Sequence, residues 1–345
     1  MTSARILASA AAMALCLGCA EPKVGTTIES GSALEKVRMN LHSAIMYAPA
    51  VIAKEEGYFA EEGIDLELVN VDASSALLSM TSGALDVIGT PVRSGLFNLI
   101  VRGVPFQIVA DDEHFAAGPC ASTAFTAPPG LAARVRTNGL RGQRVATIKG
   151  GITEYMADRL LASQNLTRAD VELVEYPPGE AATGELRVLE AVRFNFEPTI
   201  TVQMEQGLIE IVAPAHEVAP GFQKNVIAFG ERLLDENTDL GLRFMRAWLR
   251  GVRRYNEGKT ERNVEIISGY TKLPTDLIRR VCWPHISNDG RIDPDAVQPL
   301  LDWMLEKGYL EAEVPLSTWW NPSFVDAANR DLAEREGAKP PEIVQ

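Results

Sequence analysis

Residues 47–69, "YAPAVIAKEEGYFAEEGIDLELV", decide the fold. Pro49 suits the first turn of a helix, where its missing N–H is not needed, and Val51, Ile52 and Ala53 give that helix a buried side. Gly57 ends it, Tyr58 and Phe59 anchor a second short turn, and Gly63 is suited to a left-handed stop. Ile64, Leu66 and Leu68 then alternate with Asp65 and Glu67, the period of a half-buried strand. With "KVRMNL" before them as a strand, these residues form the helix and second strand of a βαβ unit.

The pattern recurs on both sides of a Gly-, Ala- and Pro-rich loop at 115–130. "DASSALLSMTSG" reads as a capped helix and "ALDVIGT" as a strand. "TPVRSGLFNLIVRG" reads as a helix with Thr90 as N-cap and Pro91 at the first position, and "PFQIVA" as the next strand. Beyond the loop, "RVATIKG", "TEYMADRLLASQ" and "VELVEY" begin afresh. Alternating strands and helices predict α/β lobes with parallel sheets covered on both faces. From about Leu240 the chain turns helical, and Leu242, Met245, Trp248, Leu249 and Val252 form a stripe that belongs to a core.

A chain of 345 residues can bury two cores. Its net charge of -13 argues against nucleic acid, which needs a surplus of Lys and Arg. Residues 1–18 carry Arg5 followed by an apolar run from Ile6 to Leu17, the layout of a secretory signal and short for a membrane span. Ending on Gly18-Cys19, this segment resembles a bacterial lipobox, with Cys16 where Leu is usual. Cys19 is therefore the expected lipidated first residue, and a plain signal cut nearby is the alternative. Residues 19–35 read as a polar tether. Cys120 and Cys282 then remain; an exported chain permits them to pair, and two separate buried thiols fit the sequence as well.

Together, "YAPAVIAKEEGYFAEEGIDLELV", "MTSGALDVIGTP", "RGVPFQIVA", "GLRGQRVATIKGG", "DVELVEYPP", "FEP", "FMRAWLRGVRRYNE", "GRIDPDAVQPLLDWMLEKG" and "NPSFVDAA" resemble, in order, the solute-binding proteins of the nitrate, sulfonate and taurine ABC-transporter group, the THI5/NMT1-like family. The resemblance implies a periplasmic-binding-protein fold: two α/β lobes joined by hinge strands, with a helical C-terminal part packed on the first lobe. Lobe 1 is expected at 36–111 and 225–345, and lobe 2 at 112–224. The implied role is to capture a small molecule between the lobes and deliver it to the permease and ATPase of an importer, as a monomer anchored by lipid outside the cytoplasm.

In open parallel sheets ligands sit beyond the carboxyl ends of strands, near helix N-termini. That places Met46 and Tyr47 in a first ligand-facing loop, and Thr90 and Arg93 in a second. Arg93 in a first helical turn opposes the helix dipole, a conflict that an anionic ligand or a partner such as Asp111 or Asp112 removes. By resemblance, Gly151, Ile152 and Thr153 form the facing loop of lobe 2, with Asn195 and Glu197 on its strand edge. Lobe 2 departs from the family, having Val188 and Ala191 where Gly and Asp are usual, and Phe196 where Trp is usual. Asp111, Asp112 and Glu113 form an acidic crossover. Lining a cleft, with Asp112 as a ligand contact, they favour an amine or cationic heterocycle; the alternative is a solvated crossover.

Enzyme readings weigh less. The pyrimidine-precursor synthases of this resemblance use a Cys-rich motif and a His where Tyr47 stands, and desulfinase-type relatives use a Cys nucleophile beside a His. Here His42, His114, His216 and His285 are scattered without metal-ligand spacing, and no phosphate-binding Gly loop occurs, so no cofactor and no metal are expected. A non-transport receptor of the same fold is the remaining alternative.

Overall fold

The computed structural model describes residues 33–175, 191–335 and 337. The signal segment, Cys19 and most of the tether lie outside the described residues, as do Val188 and the end of "VELVEYPP".

Two five-stranded sheets organise the chain. The first contains β1 (Glu35–Leu41), β2 (Ile64–Asn70), β3 (Val87–Pro91), β4 (Phe106–His114) and β10 (Gln223–Gly230), in the order β2-β1-β3-β10-β4. The second contains β5 (Thr123–Ala127), β6 (Arg144–Thr147), β7 (Glu172–Glu175), β8 (Val192–Phe196) and β9 (Glu210–Pro214), in the order β7-β6-β8-β5-β9. The parallel part of each sheet is the part that the βαβ alternation predicts. Each sheet also holds one antiparallel strand, β10 in the first and β5 in the second, so the sheets are mixed rather than wholly parallel. Each is the first strand after the chain passes from one sheet to the other, so no βαβ unit within a sheet sets its direction.

The opening stretch behaves as its periodicity dictates. Helix α1 (Ala48–Glu55) buries every residue from Ala48 to Ala53, and β2 buries Ile64 and Leu66. Gly57 and Gly63 take φ of 80° and 74°, the left-handed conformation that a side chain would strain. Against α1 lies the helix Thr238–Asn256, whose Met245, Trp248, Leu249 and Val252 are wholly buried. The contact is so close that a Cβ on Gly251 would lie 2.2 Å from the Pro49 carbonyl oxygen.

One expected helix start moves. Thr90 and Pro91 are strand residues, and helix α4 (Ser94–Val101) begins after Arg93. The cause is β10, which pairs Val226 with Thr90 and Asn225 with Pro91 and continues with the Val92 N–H on the Lys224 carbonyl at 2.9 Å. The C-terminal helices pack on the first lobe, and the segment after Gln298 also reaches the second. Trp303 donates to Asp158 at 2.8 Å and Tyr309 to Glu154 at 3.0 Å, both on helix α6 (Ile152–Ser163).

Gly251→Ala should force α1 and the helix Thr238–Asn256 apart and lower the unfolding free energy by about 1–3 kcal/mol, the usual cost of overpacking. Urea denaturation measures it, and an unchanged midpoint would refute so tight a crossing.

Candidate functional site

Between the lobes, beyond the carboxyl ends of β1, β3 and β8, lies a cleft of about 240 Å³. Ala44, Ile45 and Met46 wall it from the loop after β1, and Pro91 from the end of β3. Phe196 and Glu197 face them from the second lobe, and Pro284 closes one side. The floor is the crossover itself, with Glu113 on β4 and Lys224 and Asn225 at β10. A larger depression of about 430 Å³ is lined only by residues between Gln298 and Leu316 and does not join the lobes.

The acidic crossover is not solvated. Asp111, Asp112 and Glu113 are all buried, and each negative charge is handled separately. Asp111 accepts from Gln223 at 2.7 Å, from the Ser287 N–H at 2.8 Å, and pairs with His114 Nδ1 at 2.6 Å. Glu113 pairs with Lys224 Nζ at 2.8 Å and accepts from Asn225 Nδ2 and Ser122 Oγ. Lys224 in turn donates to Thr123 Oγ1 at 3.2 Å and lies 4.6 Å over the Phe196 ring. Burial, reinforced by the charges of Asp111 and Glu113, pushes the Asp112 carboxyl well above the usual carboxylate range, which favours its neutral form.

Of the residues singled out from the sequence, Met46 and Glu197 line the cleft. Tyr47, Thr90 and Asp112 stand behind its wall. Tyr47 is only 3% exposed, and its hydroxyl accepts from Asn40 at 2.8 Å and donates to the Gly89 carbonyl at 3.0 Å. Asp112 packs beside Tyr47 under Gly89, outside the cleft lining. Arg93 caps α4 in extended backbone, outside the cleft lining. Burial lowers its pKa and the charge of Asp72 opposes that drop, so the electrostatic neighbour is Asp72 rather than Asp111 or Asp112. At the start of α6, Gly151 is the N-cap, Thr153 Oγ1 accepts from the Ile148 N–H at 2.9 Å, and Glu154 accepts from the Gly150 N–H at 2.6 Å. Ile152 begins that helix, and neither it nor its neighbours belong to the cleft lining. Asn195 points its amide at Thr126 Oγ1 at 2.6 Å, one residue short of the lining.

The lining residues that the sequence reading does not single out are Ala44, Ile45, Ser122, Lys224, Asn225 and Pro284; Glu113 enters it only within the acidic crossover, Pro91 as a helix start and Phe196 as a departure. A signal was present, since Glu113 and Lys224 flank the two expected lobe boundaries. Opposite charges at the two passages of a hinge are placed to meet.

Cys120 and Cys282 are joined as a disulfide, with Cα atoms 5.9 Å apart. The bond links the loop entering β5 to the segment after the helix Thr275–Arg280, and the Cys282 N–H also donates to Glu197 at 3.1 Å. Among the described residues no group of His, Cys, Asp and Glu is arranged to hold a metal ion.

Residues 45–257, well over half the chain, match the family described as NMT1/THI5 like. The chain belongs to that family. No curated protein matches the sequence. Among solved structures, the periplasmic aliphatic sulphonate binding protein SsuA from Escherichia coli is 14% identical with a TM-score of 0.66, covering 84% of this chain and 92% of its own. The periplasmic nitrate-binding protein NrtA from Synechocystis PCC 6803 is 16% identical with a TM-score of 0.66, covering 87% and 89%. A mutant of DSZB in complex with biphenyl-2-sulfinic acid is also similar, at 13% identity and a TM-score of 0.56, covering 86% and 99%. At these identities the likeness establishes the fold, a periplasmic-binding architecture, and the NMT1/THI5-like member described here shares it.

Two outcomes follow from the crossover. Glu113→Ala leaves Lys224 buried without its partner and should cost about 3–5 kcal/mol of stability, read by urea denaturation. A loss under 1 kcal/mol would mean that the pair is not held as described.

The rings of His114 and His285 meet edge to face at 4.7 Å. Burial pulls the His114 pKa down, but the Asp111 hydrogen bond and the charges of Asp111, Glu113 and Asp289 outweigh it, so it lies above the ordinary value. Burial and then His114 lower that of His285. His114 therefore contributes stability that is complete below about pH 6.5 and is lost as pH rises through its folded value, while His285 contributes stability present above about 6.5 and lost as pH falls. An NMR titration should find His114 titrating above His285; the reverse order would overturn the assignment.

Proposed function

We propose that this chain is an extracytoplasmic solute-binding lipoprotein that captures a small organic molecule in the interlobe cleft and delivers it to an ABC importer. The observation that carries the reading is the cleft itself. It is concave, it draws apolar walls and a polar floor from both lobes, and its floor is the hinge about which the lobes would close. Met46 and Glu197 are the wall contacts shared with the sequence reading. Lobe 1 is taken as 36–111 with 225–345 and lobe 2 as 112–224, so that both crossings fall within strands β4 and β10 of the first sheet.

The Cys120–Cys282 bond supports an oxidising compartment, and no helix among the described residues is long and apolar enough to cross a membrane. Attachment would then rest on lipid at Cys19. With both described cysteines bonded to each other, neither offers a thiolate, which favours binding over thiol chemistry in this cleft.

Produced with its signal segment, the protein should partition into detergent, and Cys19→Ser should release it to the aqueous phase; equal partition of both forms would refute the anchor. Small solutes that enter the cleft should raise the melting temperature, by an amount equivalent to about 2.7 kcal/mol at a hundredfold excess over the dissociation constant. Met46→Trp should abolish that rise, and its solute-free melt, measured alongside, separates a filled cleft from a loss of folding. Turnover of a bound solute would overturn the binding-protein reading.

A further inference from the structure

The chemistry of the cleft lining narrows the class of solute, on the premise that the cleft is the solute site. Its charged side chains are Glu113, Glu197 and Lys224, an excess of one carboxylate. Lys224 is paired with Glu113 and covered by Phe196. Glu197 takes hydrogen bonds from neutral donors, the Thr201 N–H at 3.0 Å, the Thr201 hydroxyl at 2.7 Å and the Cys282 N–H at 3.1 Å. Lys259 feels its charge, but the Lys259 ammonium is bonded to the carbonyls of Arg279 and Val281, each at 2.8 Å. An anion entering here would meet an uncompensated carboxylate and an ammonium already engaged.

A second observation is independent of that charge count. Asn225 lines the cleft, is only 2% exposed, and turns Nδ2 toward Glu113. The paired carboxylate can only accept, so the amide orientation is settled by its partner. Oδ1 is left buried with no hydrogen-bond partner among the described residues. A buried acceptor of this kind calls for an N–H or O–H donor. The walls of Ile45, Met46, Pro91 and Pro284, with the Phe196 ring, suit an apolar or aromatic body.

We propose that the cleft takes an organic cation, a small apolar or aromatic body bearing a charged nitrogen with an N–H, balanced by Glu197 and offered to Asn225 Oδ1. A quaternary ammonium satisfies the charge but not the acceptor, and a sulfonate or nitrate satisfies neither.

Matched probes on one skeleton test this by calorimetry and thermal shift on the full-length protein: benzylamine, benzyltrimethylammonium and benzenesulfonate, with nitrate alongside. Benzylamine should bind at least roughly tenfold more tightly than the other three, and Glu197→Gln, which keeps an acceptor for Thr201, should weaken it roughly tenfold or more. If benzenesulfonate or nitrate binds better, and Met46→Trp abolishes that binding, the cation proposal falls while the solute-binding reading stands. Binding of benzylamine that survives both Glu197→Gln and Met46→Trp lies outside the cleft and also overturns the proposal. If no probe binds, both the proposal and the reading beneath it fail.

Discussion

The antiparallel pairing of β4 with β10 holds the rest of the structure in place. It sets Gln223 opposite His114, Asn225 opposite Glu113 and Val226 opposite Asp111, so the chain leaves the first sheet after His114 and rejoins it at Gln223. All five strands of the second sheet lie in the stretch between. At this end of β4 and β10 the buried Glu113 meets Lys224, which is partly buried in the cleft lining. The desolvation of both ions is offset by their neighbours: Asn225 Nδ2 and Ser122 Oγ donate to the carboxylate, while the ammonium donates to Thr123 Oγ1 and lies over the Phe196 ring. A pair of this kind adds little net stability beside an apolar alternative, yet it requires the two hinge strands to be in register.

The same crossover fixes the electrical character of the cleft. Three consecutive carboxyl groups would make it strongly negative if all were ionised and open. Instead Asp111 is matched to His114, Glu113 to Lys224, and Asp112 is driven toward its neutral form by burial. The lining holds a compensated pair, one further carboxylate on Glu197, and Asn225, whose buried amide oxygen has no hydrogen-bond partner among the described residues. The acidity of the segment is thus absorbed by the hinge, and the negative surplus in the lining comes from the opposite lobe.

Beyond the hinge, further connections tie the lobes, two of them at the cleft wall and at α6. The Cys120–Cys282 bond and the Cys282 N–H on Glu197 anchor the segment carrying Pro284 against the second lobe. Trp303 and Tyr309 reach α6 from the C-terminal helical part. Both connections begin in the last third of the chain and end on one wall or one helix of the inserted lobe, so the C-terminal part contributes to the geometry of the cleft as well as to the core of lobe 1.

Local physics was legible in the sequence. The apolar period of α1 and β2, the left-handed glycines at 57 and 63, the core stripe of Thr238–Asn256 and the ordered motifs of the NMT1/THI5-like family identify the elements and the architecture, because each depends on residues a few positions apart. The rest depends on partners far along the chain. Thr90 and Pro91 are a strand because β10 lies beside them, where their own residues read as a helix start. Tyr47 and Asp112 turn inward because Asn40 and Gly89 meet them there. Glu113, Lys224 and Asn225 form the floor of the cleft because two crossovers more than a hundred residues apart pair edge to edge. Periodicity reports which side of an element is buried, and only the tertiary structure decides which atoms meet it there.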